Sequence, residues 1–132
     1  MNETQLERYS RQLLLPNFDV AGQSALLEAK VLIIGLGGLG NIAASYLAAS
    51  GVGRLTLVDD DQVEVSNLQR QVLYREADLG KNKVEAAAEQ LAQLNSDVEL
   101  IAISSRLSEE RLCAEIQAAD LVLDCTDNFA AR

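Results

Sequence analysis

The sequence predicts an α/β fold in which a mostly parallel sheet carries helices on both faces. Short apolar runs, typical of strands buried on both faces, alternate with longer segments of helical periodicity. A glycine-rich G-x-G-x-x-G stretch connects the first such run to a helix of small residues. Of the residues, 48% are apolar and only 4% are aromatic, a composition that suits helices packed closely on a sheet.

The first 29 residues are predicted to form a helical segment that precedes the sheet. Thr4 and Glu7 have the spacing of a capping box, and apolar residues recur after them at helical intervals. A second short helix is expected over residues 22–29. The periodicity then changes, so the chain divides into a helical segment, 1–29, and an α/β domain, 30–132.

Four predicted strands alternate with three predicted helices in the α/β domain. The strands are KVLIIG, RLTLVD, VELIAI and DLVLDC, and the helices are NIAASYLAAS, DLGKNKVEAAAEQLAQLN and SEERLCAEIQAA. The second helix has the clearest apolar face, from Val84 to Leu94, and Ser108 is the expected N-cap of the third. Right-handed crossovers place the carboxyl ends of parallel strands at one edge, where a functional site is expected.

Charge and hydropathy exclude several classes of protein. A net charge of −9, from 20 acidic and 11 basic residues, argues against a nucleic-acid-binding surface, which needs clustered Lys and Arg. No apolar run approaches the roughly 20 residues of a membrane span, and the polar N-terminus has no signal-peptide pattern. We therefore expect a cytoplasmic protein that binds neither nucleic acid nor membrane.

The cysteines argue against a metal centre and against a disulfide framework. Cys113 and Cys125 are the two cysteines, and the sequence has neither a CxxC motif nor a histidine, so a zinc site is not expected. Both are interpreted as small buried apolar residues. The lack of a disulfide framework favours a reducing compartment.

The stretch GLGGLG is typical of a phosphate-binding turn between a strand and a helix. Gly35 permits a tight turn, Gly37 lets backbone approach a phosphate, and Gly40 allows the helix to pack closely on the strand. A helix beginning near Asn41 would direct unpaired N–H groups toward an anion. The motif predicts a Rossmann-like nucleotide-binding domain, with a purely structural glycine turn as the alternative.

An acidic stretch follows the second predicted strand. Asp59 lies 19 residues after Gly40, where a Rossmann-type site has a carboxylate for the ribose hydroxyls. Asp60 is interpreted as part of a solvated turn and Asp61 as an additional acceptor near the nucleotide. Taken alone, the glycine motif and Asp59 predict a nicotinamide-dependent oxidoreductase.

Three further features favour a triphosphate over a dinucleotide. SNLQRQ puts Arg70 on the loop after the acidic stretch, Lys83 lies near the start of the amphipathic helix, and the fourth strand runs into DCTDN. A triphosphate needs cationic stabilisation, usually by Arg or Lys together with magnesium. Arg70 and Lys83 are suitable cations, and Asp127 offers the oxygen ligand that Mg²⁺ prefers. Individually, each also fits a surface charge or a helix cap.

Six motifs together resemble one known family. In order they are RYSRQ (8–12), GLGGLG (35–40), DDD (59–61), SNLQRQ (66–71), GKNK (80–83) and DCTDN (124–128). The combination, which covers essentially the whole chain, resembles the MoeB/ThiF/HesA adenylyltransferases, prokaryotic relatives of the ubiquitin-activating enzymes. The resemblance implies that ATP and Mg²⁺ are used to adenylate the C-terminal Gly-Gly carboxylate of a ubiquitin-like sulfur-carrier protein, with release of pyrophosphate.

The resemblance also implies roles for individual residues. Arg70, Lys83 and Asp127 would act in catalysis, with Asp127 holding magnesium, and Arg11 would reach into the site of a partner subunit, which implies a homodimer. The expected nucleotide contacts are Gly35, Gly37, Gly38, Gly40, Asp59, Asp61, Ser66, Asn67, Leu68, Gln69, Arg70, Lys83, Asp127 and Asn128.

The chain also departs from the family pattern. The family's later strands, its carrier-guiding crossover loop and its paired CxxC zinc motifs have no counterpart in this sequence. We therefore expect the nucleotide-binding half of such an enzyme, without the zinc site. A non-catalytic fragment that binds nucleotide or dimerises is a second interpretation, and an NAD-dependent oxidoreductase is a third. The molybdopterin and thiamine branches fit almost equally, with a small preference for the molybdopterin carrier.

Overall fold

The sheet predicted from the sequence is present and entirely parallel in the described part of the chain. The computed structural model describes residues 1–127 and forms, within them, a four-stranded sheet of order β3-β2-β1-β4. The strands are β1 Lys30–Ile34, β2 Arg54–Val58, β3 Glu99–Ile103 and β4 Leu121–Asp124. Strand β1 pairs with β2 from Lys30 opposite Arg54 to Ile34 opposite Val58. On its other side it pairs with β4, where Ile34 lies opposite Asp124. The α/β fold class is confirmed.

Helices connect the parallel strands, as crossovers require. They are α1 Glu3–Arg8, α2 Ser10–Leu13, α3 Asp19–Glu28, α4 Gly38–Ser50, α5 Lys83–Leu94 and α6 Glu109–Ala118. Strand β1 pairs with β2 on one side and with β4 on the other, so the order of strands reverses at β1. In open α/β sheets a crevice forms at such a reversal, outside the carboxyl ends of the strands, and ligands bind there.

The core packs the sheet against α4 and α5. Val84, Ala87 and Leu91 of α5 are fully buried, which confirms most of the predicted apolar face, whereas Leu94 in its last turn is 44% exposed. Ser108 caps α6 as expected, because its Oγ accepts a hydrogen bond from the Arg111 N–H. Among residues 1–127, no helix has both the length and the hydrophobicity that crossing a bilayer requires.

The N-terminal helices begin at a different cap from the one predicted. Asn2, rather than Thr4, is the N-cap of α1, and its Oδ1 accepts from the Gln5 N–H while Gln5 Oε1 accepts from the Asn2 N–H. The helical segment is also interrupted between α1 and α2 at Tyr9, whose side chain is completely buried. The Tyr9 hydroxyl accepts a hydrogen bond from Asn95, so this residue anchors the N-terminal segment on the α/β core.

Helix α4 begins at Gly38, three residues before the expected start near Asn41. The Asn41 N–H already donates to the Gly37 carbonyl, so Asn41 lies within the first turn of the helix, and its buried Nδ2 donates to the carbonyls of Leu36 and Gly37. The earlier start brings the first turn of α4 directly onto the glycine stretch. The unpaired N–H groups of this turn therefore lie at the carboxyl edge of the sheet.

Candidate functional site

A cavity of about 390 Å³ lies at the carboxyl edge of the sheet. Its lining combines the glycine stretch, the acidic stretch Asp59–Asp61, the buried Lys83, and the segment Cys125–Asp127 after β4. The cavity therefore lies at the reversal of strand order, as expected from the topology. Its volume is within the range of small-molecule sites in proteins.

Two glycines of GLGGLG are required by the fold itself. Gly35 has a φ of 98°, and a Cβ there would lie 2.8 Å from the backbone of Cys125. A Cβ on Gly40 would overlap the carbonyl oxygen of Gly35. Both positions bring backbone so close to backbone that only glycine fits, as the predicted roles in turn and packing require.

The other two glycines of the motif have space around them. A Cβ on Gly37 would approach Gln71 Nε2 at 3.7 Å, and one on Gly38 would approach the Arg70 side chain at 3.8 Å, both ordinary contact distances. Neither glycine has a positive φ. Among the described residues, nothing in the packing therefore demands glycine at these two positions. Because both line the cavity, the open surface over them suits close approach by a ligand.

A network of hydrogen bonds fixes the backbone of Leu36, which lies between Gly35 and Gly37. The Leu36 N–H donates to Asp59 Oδ2 at 2.7 Å, and the Leu36 carbonyl accepts from Asn41 Nδ2 at 2.9 Å and from the Tyr74 hydroxyl at 2.6 Å. Burial raises the pKa of Tyr74 well above its ordinary value, so its hydroxyl stays protonated and donates. Asn41 also accepts from the Leu73 N–H, which ties the loop of residues 65–75 to the motif.

Asn41 and Tyr74 hold the backbone of the glycine stretch, and the sequence reasoning missed this role. Asn41 directly follows the glycine motif and is the one amide side chain in a helix of mostly small or apolar residues. Tyr74 is one of three tyrosines in a chain with few aromatic residues. These signals were present, but the partners lie 38 residues apart in the case of Tyr74 and Leu36, and only the tertiary structure reveals them.

Lys83 is the buried cation of the site. It is the first residue of α5, is only 6% exposed, and its Nζ lies 3.8 Å from Asp61 Oδ2. The Lys83 N–H also donates to the Asp61 carbonyl, so the backbone fixes the position of the side chain. Burial, followed by the nearby charge of Asp59, raises the pKa of the Asp61 carboxyl, and Lys83 opposes this shift.

The acidic stretch folds so that its carboxylates are close together. Oxygens of Asp59, Asp60 and Asp61 lie within 4.8 Å of one another, and Asp59 Oδ1 accepts from the Asp61 N–H at 2.8 Å. Asp60 is exposed, in agreement with the predicted solvated turn, although it also borders the cavity. Asp127 lines the cavity as well, so carboxylate oxygens are available to a hard cation such as Mg²⁺.

The SNLQRQ stretch forms a turn beside the cavity rather than its main wall. Arg70 is exposed, its side chain lies next to Gly38, and its guanidinium donates to the Ser66 carbonyl at 3.0 Å. Asn67 Oδ1 accepts from the Glu64 N–H at 2.9 Å, which closes the turn. The described lining of the cavity does not include the expected contacts Ser66, Asn67, Leu68, Gln69 and Arg70.

The remaining expected site residues are distributed differently. Gly35, Gly37, Gly38, Asp59, Asp61, Lys83 and Asp127 all line the cavity, whereas Gly40 lies buried behind it. Arg11 is exposed on α2 and is not among the described lining residues. Asn128 lies outside the described residues.

One wall of the cavity was not predicted at all. Ser105, Arg106 and Leu107 follow β3, and together with Leu112 of α6 they form part of the cavity lining. Ile34 and Val58, the last residues of two adjacent strands, add apolar surface. The rule that ligands bind beyond the carboxyl ends of strands applies to β3 as well, and could have directed attention to the loop that follows it.

The two cysteines differ in burial. Cys125 is 8% exposed, as predicted, and burial together with the charge of Asp124 raises the pKa of its thiol. The expectation for Cys113 is wrong, because this residue lies on the exposed face of α6. Its environment in the sequence, LCAEI, looked apolar, but the helix contacts the sheet through other residues.

We therefore expect the two thiols to be alkylated at different rates. Near neutral pH, iodoacetamide should modify Cys113 at least about tenfold faster than Cys125, since only a solvent-accessible thiolate reacts. The ratio can be measured by peptide mass spectrometry over a time course. Equal rates would contradict the burial of Cys125, and a denatured sample, in which both should react alike, is the control.

The fold, with its cavity at the carboxyl edge of the sheet, defines an α/β protein of Rossmann type. The chain belongs to the ThiF family, which it matches over residues 9–132. The family resemblance inferred from the six motifs is thereby confirmed.

Named relatives of the chain are adenylyltransferases. It is 52% identical over 132 residues to the sulfur carrier protein ThiS adenylyltransferase of Escherichia coli (strain K12). It is 48% identical over the same length to the molybdopterin-synthase adenylyltransferase of that organism. In both cases all of this chain and 53% of the relative are covered, so the chain spans about half the length of these relatives.

A solved structure with ATP shares the architecture. The E. coli tRNA N6-threonylcarbamoyladenosine dehydratase TcdA, in complex with ATP, has a TM-score of 0.87 and 25% sequence identity. The match covers 96% of this chain and 52% of that one. The architecture of the described residues is therefore one that occurs in an ATP complex.

Proposed function

We propose that the chain is the nucleotide-binding part of an ATP-dependent adenylyltransferase that activates a ubiquitin-like sulfur-carrier protein. One observation carries the proposal. The open surface over Gly37 and Gly38 and the buried side chain of Lys83 line the same cavity. An exposed backbone turn next to a fixed cation is suited to a polyphosphate. The names of the relatives support adenylyl transfer over other uses of ATP.

The phosphates would lie over the glycine stretch and the first turn of α4. Arg70, beside Gly38, and Lys83 would neutralise charge from two sides. Asp127, with the neighbouring acidic stretch, has the oxygen donors for Mg²⁺, which when bound would screen the phosphates further. This arrangement supplies the cationic environment that distinguishes a triphosphate site from a dinucleotide site.

The nucleoside would occupy the other half of the cavity. Each oxygen of the Asp59 carboxylate accepts one backbone N–H, which leaves further acceptor capacity for the ribose hydroxyls. The apolar surface of Leu107 and Leu112, together with the ends of β1 and β2, is suited to an adenine ring. The segment after β3, which the sequence does not predict as part of the site, would thus hold the adenine ring.

The reaction needs no nucleophile from the chain. An oxygen of the carrier's C-terminal carboxylate attacks the α-phosphorus of ATP, the bond from that phosphorus to the bridging oxygen breaks, and pyrophosphate leaves with the electron pair. The product is an acyl adenylate. The protein must align two anions and stabilise the charge that develops on the phosphates, which is the task of Lys83 and Arg70 in the proposal.

Several finer points belong to the same proposal. The carrier is of the molybdopterin-synthase or the thiamine type, and the close identities to both named relatives do not favour one of them strongly. Arg11, exposed on α2, would complete the site of a second subunit in a homodimer. A cytoplasmic location fits two cysteines that are both free.

Pyrophosphate exchange into ATP, measured with each type of carrier, tests the proposal. We expect carrier-dependent exchange, and we expect Arg70→Ala and Asp127→Ala each to lower its rate by about 10²–10³-fold, as for loss of one transition-state contact. Arg111→Ala and Asp97→Ala, which change exposed residues outside the described cavity lining, are the matched controls and should retain the rate.

The same experiment separates the alternatives. Absence of exchange with both carriers, together with ATP binding, would favour a second function as a nucleotide-binding or dimerisation module. Tight binding of NADH without binding of ATP in a fluorescence titration would instead favour the oxidoreductase. Unchanged exchange in both Arg70→Ala and Asp127→Ala would contradict the assigned roles.

A further inference from the structure

Gln71 is a buried amide with an unpartnered oxygen. The residue is only 2% exposed, and no donor among residues 1–127 forms a hydrogen bond with its Oε1. Its backbone is paired, because the N–H donates to the Asn67 carbonyl and the carbonyl accepts from the Tyr74 N–H. A buried carbonyl oxygen without a donor destabilises the folded state. The stability of the fold therefore gives no reason for an amide at this position.

The other end of this amide is directed toward the glycine stretch. Gln71 Nε2 lies 3.7 Å from the position that a Cβ on Gly37 would occupy. Gly37 is the N-cap of the thirteen-residue helix α4 and offers no side chain to its first turn. Gln71 is not among the described lining residues of the cavity, but Gly37 is, so the amide lies next to the lining at the first turn of α4, where N–H groups are unpaired.

Arg70 and Gln71 occupy neighbouring positions along both the chain and the motif. The Arg70 side chain is the one next to Gly38, and that of Gln71 is the one next to Gly37. Arg70 is exposed and charged, whereas Gln71 is buried and neutral. A buried amide is held in place by packing, so it can direct a hydrogen bond without the entropy loss that an exposed arginine undergoes.

We propose that Gln71 is a phosphate-binding residue whose Nε2 donates a hydrogen bond to a nucleotide phosphate oxygen above Gly37. This inference rests on the proposed function, because it requires that the cavity bind ATP. The unpartnered Oε1 then lowers the stability of the fold, while Nε2 of the same amide provides the donor that the phosphate needs. Arg70 supplies charge at the adjacent glycine, and Gln71 supplies direction.

Gln71→Met tests the inference, because methionine has a similar shape but neither polar atom. We expect the affinity for ATP to fall at least about tenfold, the scale of a hydrogen bond to a charged group, while the affinity for adenosine is unchanged. We expect the melting temperature of the nucleotide-free protein to rise by about 2–5 °C, since the unpaired oxygen is gone. Calorimetric titration and thermal unfolding measure the two effects.

Controls distinguish the outcomes. Gln93→Met, on the exposed side of α5, makes the same exchange away from the cavity and should change neither ATP affinity nor melting temperature appreciably. A lower melting temperature for Gln71→Met with an unchanged ratio of ATP to adenosine affinity would overturn the inference and assign Gln71 a structural role. Failure of the unmodified protein to bind ATP would instead reject the proposed function.

A second variant keeps the inference testable if Gln71→Met does not fold. Gln71→Asn retains an amide but withdraws it from Gly37 by one methylene. The same selective loss of ATP affinity is expected, without the rise in melting temperature, because the polar group remains buried. Normal ATP affinity in a folded Gln71→Asn protein would overturn the proposal.

Discussion

Replacing Lys83 by methionine is expected to lower the rate of carrier-dependent pyrophosphate exchange by about 10²–10³-fold while leaving the protein folded. Lys83 is 6% exposed and lines the cavity, whereas Arg106, the other basic residue of the described lining, is exposed. A charge held in a partly dry site acts more strongly on a phosphate than one in water does. The fold should survive, because methionine fills the same space and the residue's N–H still donates to the Asp61 carbonyl.

Lys81→Met is the matched control for this prediction. Lys81 lies two residues earlier, is exposed, and forms ion pairs with Asp78 and Glu89 rather than with cavity residues. The variant should keep its exchange rate. Its melting temperature should fall modestly, because the Asp78 side chain is only 5% exposed and loses its ammonium partner while keeping the hydrogen bond from the Arg75 N–H. Equal losses of activity in the two variants would show that net charge, rather than the position of Lys83, controls the reaction.

Asp61 adds a second readout to the same comparison. In the free protein Lys83 has Asp61 as its partner at 3.8 Å. The pKa of Asp61 is raised mainly by burial, while Lys83 acts to lower it. Loss of the ammonium in Lys83→Met should therefore raise the pKa of Asp61 further, whereas Lys81→Met should not change it. Carboxyl titration by NMR can measure this difference.

The parts of the site that follow strands directly could be predicted from the sequence. Gly35, Asp59 and Asp127 come at or soon after the ends of β1, β2 and β4, and parallel strands bring their carboxyl ends to one edge. Lys83 was found for a related reason, because it begins the helix with the strongest amphipathic pattern. Local periodicity and topology were sufficient for these residues.

The parts that depend on loop conformation could not be predicted in the same way. The loop of residues 65–75 is placed by hydrogen bonds from Tyr74 to Leu36 and from Leu73 to Asn41, across 38 and 32 residues. Sequence patterns within a loop do not encode such distant pairings. As a result Ser66 and Gln69 are expected at the nucleotide although, like Gln71, they lie outside the described cavity lining. Nothing in the sequence distinguishes Gln71 as the residue whose amide lies next to Gly37.

The same substitution at two glycines of the motif should have opposite effects. Gly40→Ala is expected to destabilise the protein by about 3 kcal/mol or more, because the added methyl group would overlap the Gly35 carbonyl within closely packed backbone. Gly38→Ala should leave stability unchanged or raise it by up to about 1 kcal/mol, since alanine favours helix and the position has room. Denaturant unfolding measures both.

ATP titration completes the comparison, because the two glycines serve different requirements. In Gly38→Ala the methyl group would project into the space where a phosphate must approach the backbone, so ATP affinity should fall at least about tenfold in a protein of normal stability. Normal ATP affinity in this variant would contradict the placement of phosphates over Gly38. A stable Gly40→Ala protein would contradict the packing of α4 against β1. The two results together separate what the motif does for the fold from what it does for the ligand, a distinction that the repeated glycines of the sequence do not reveal.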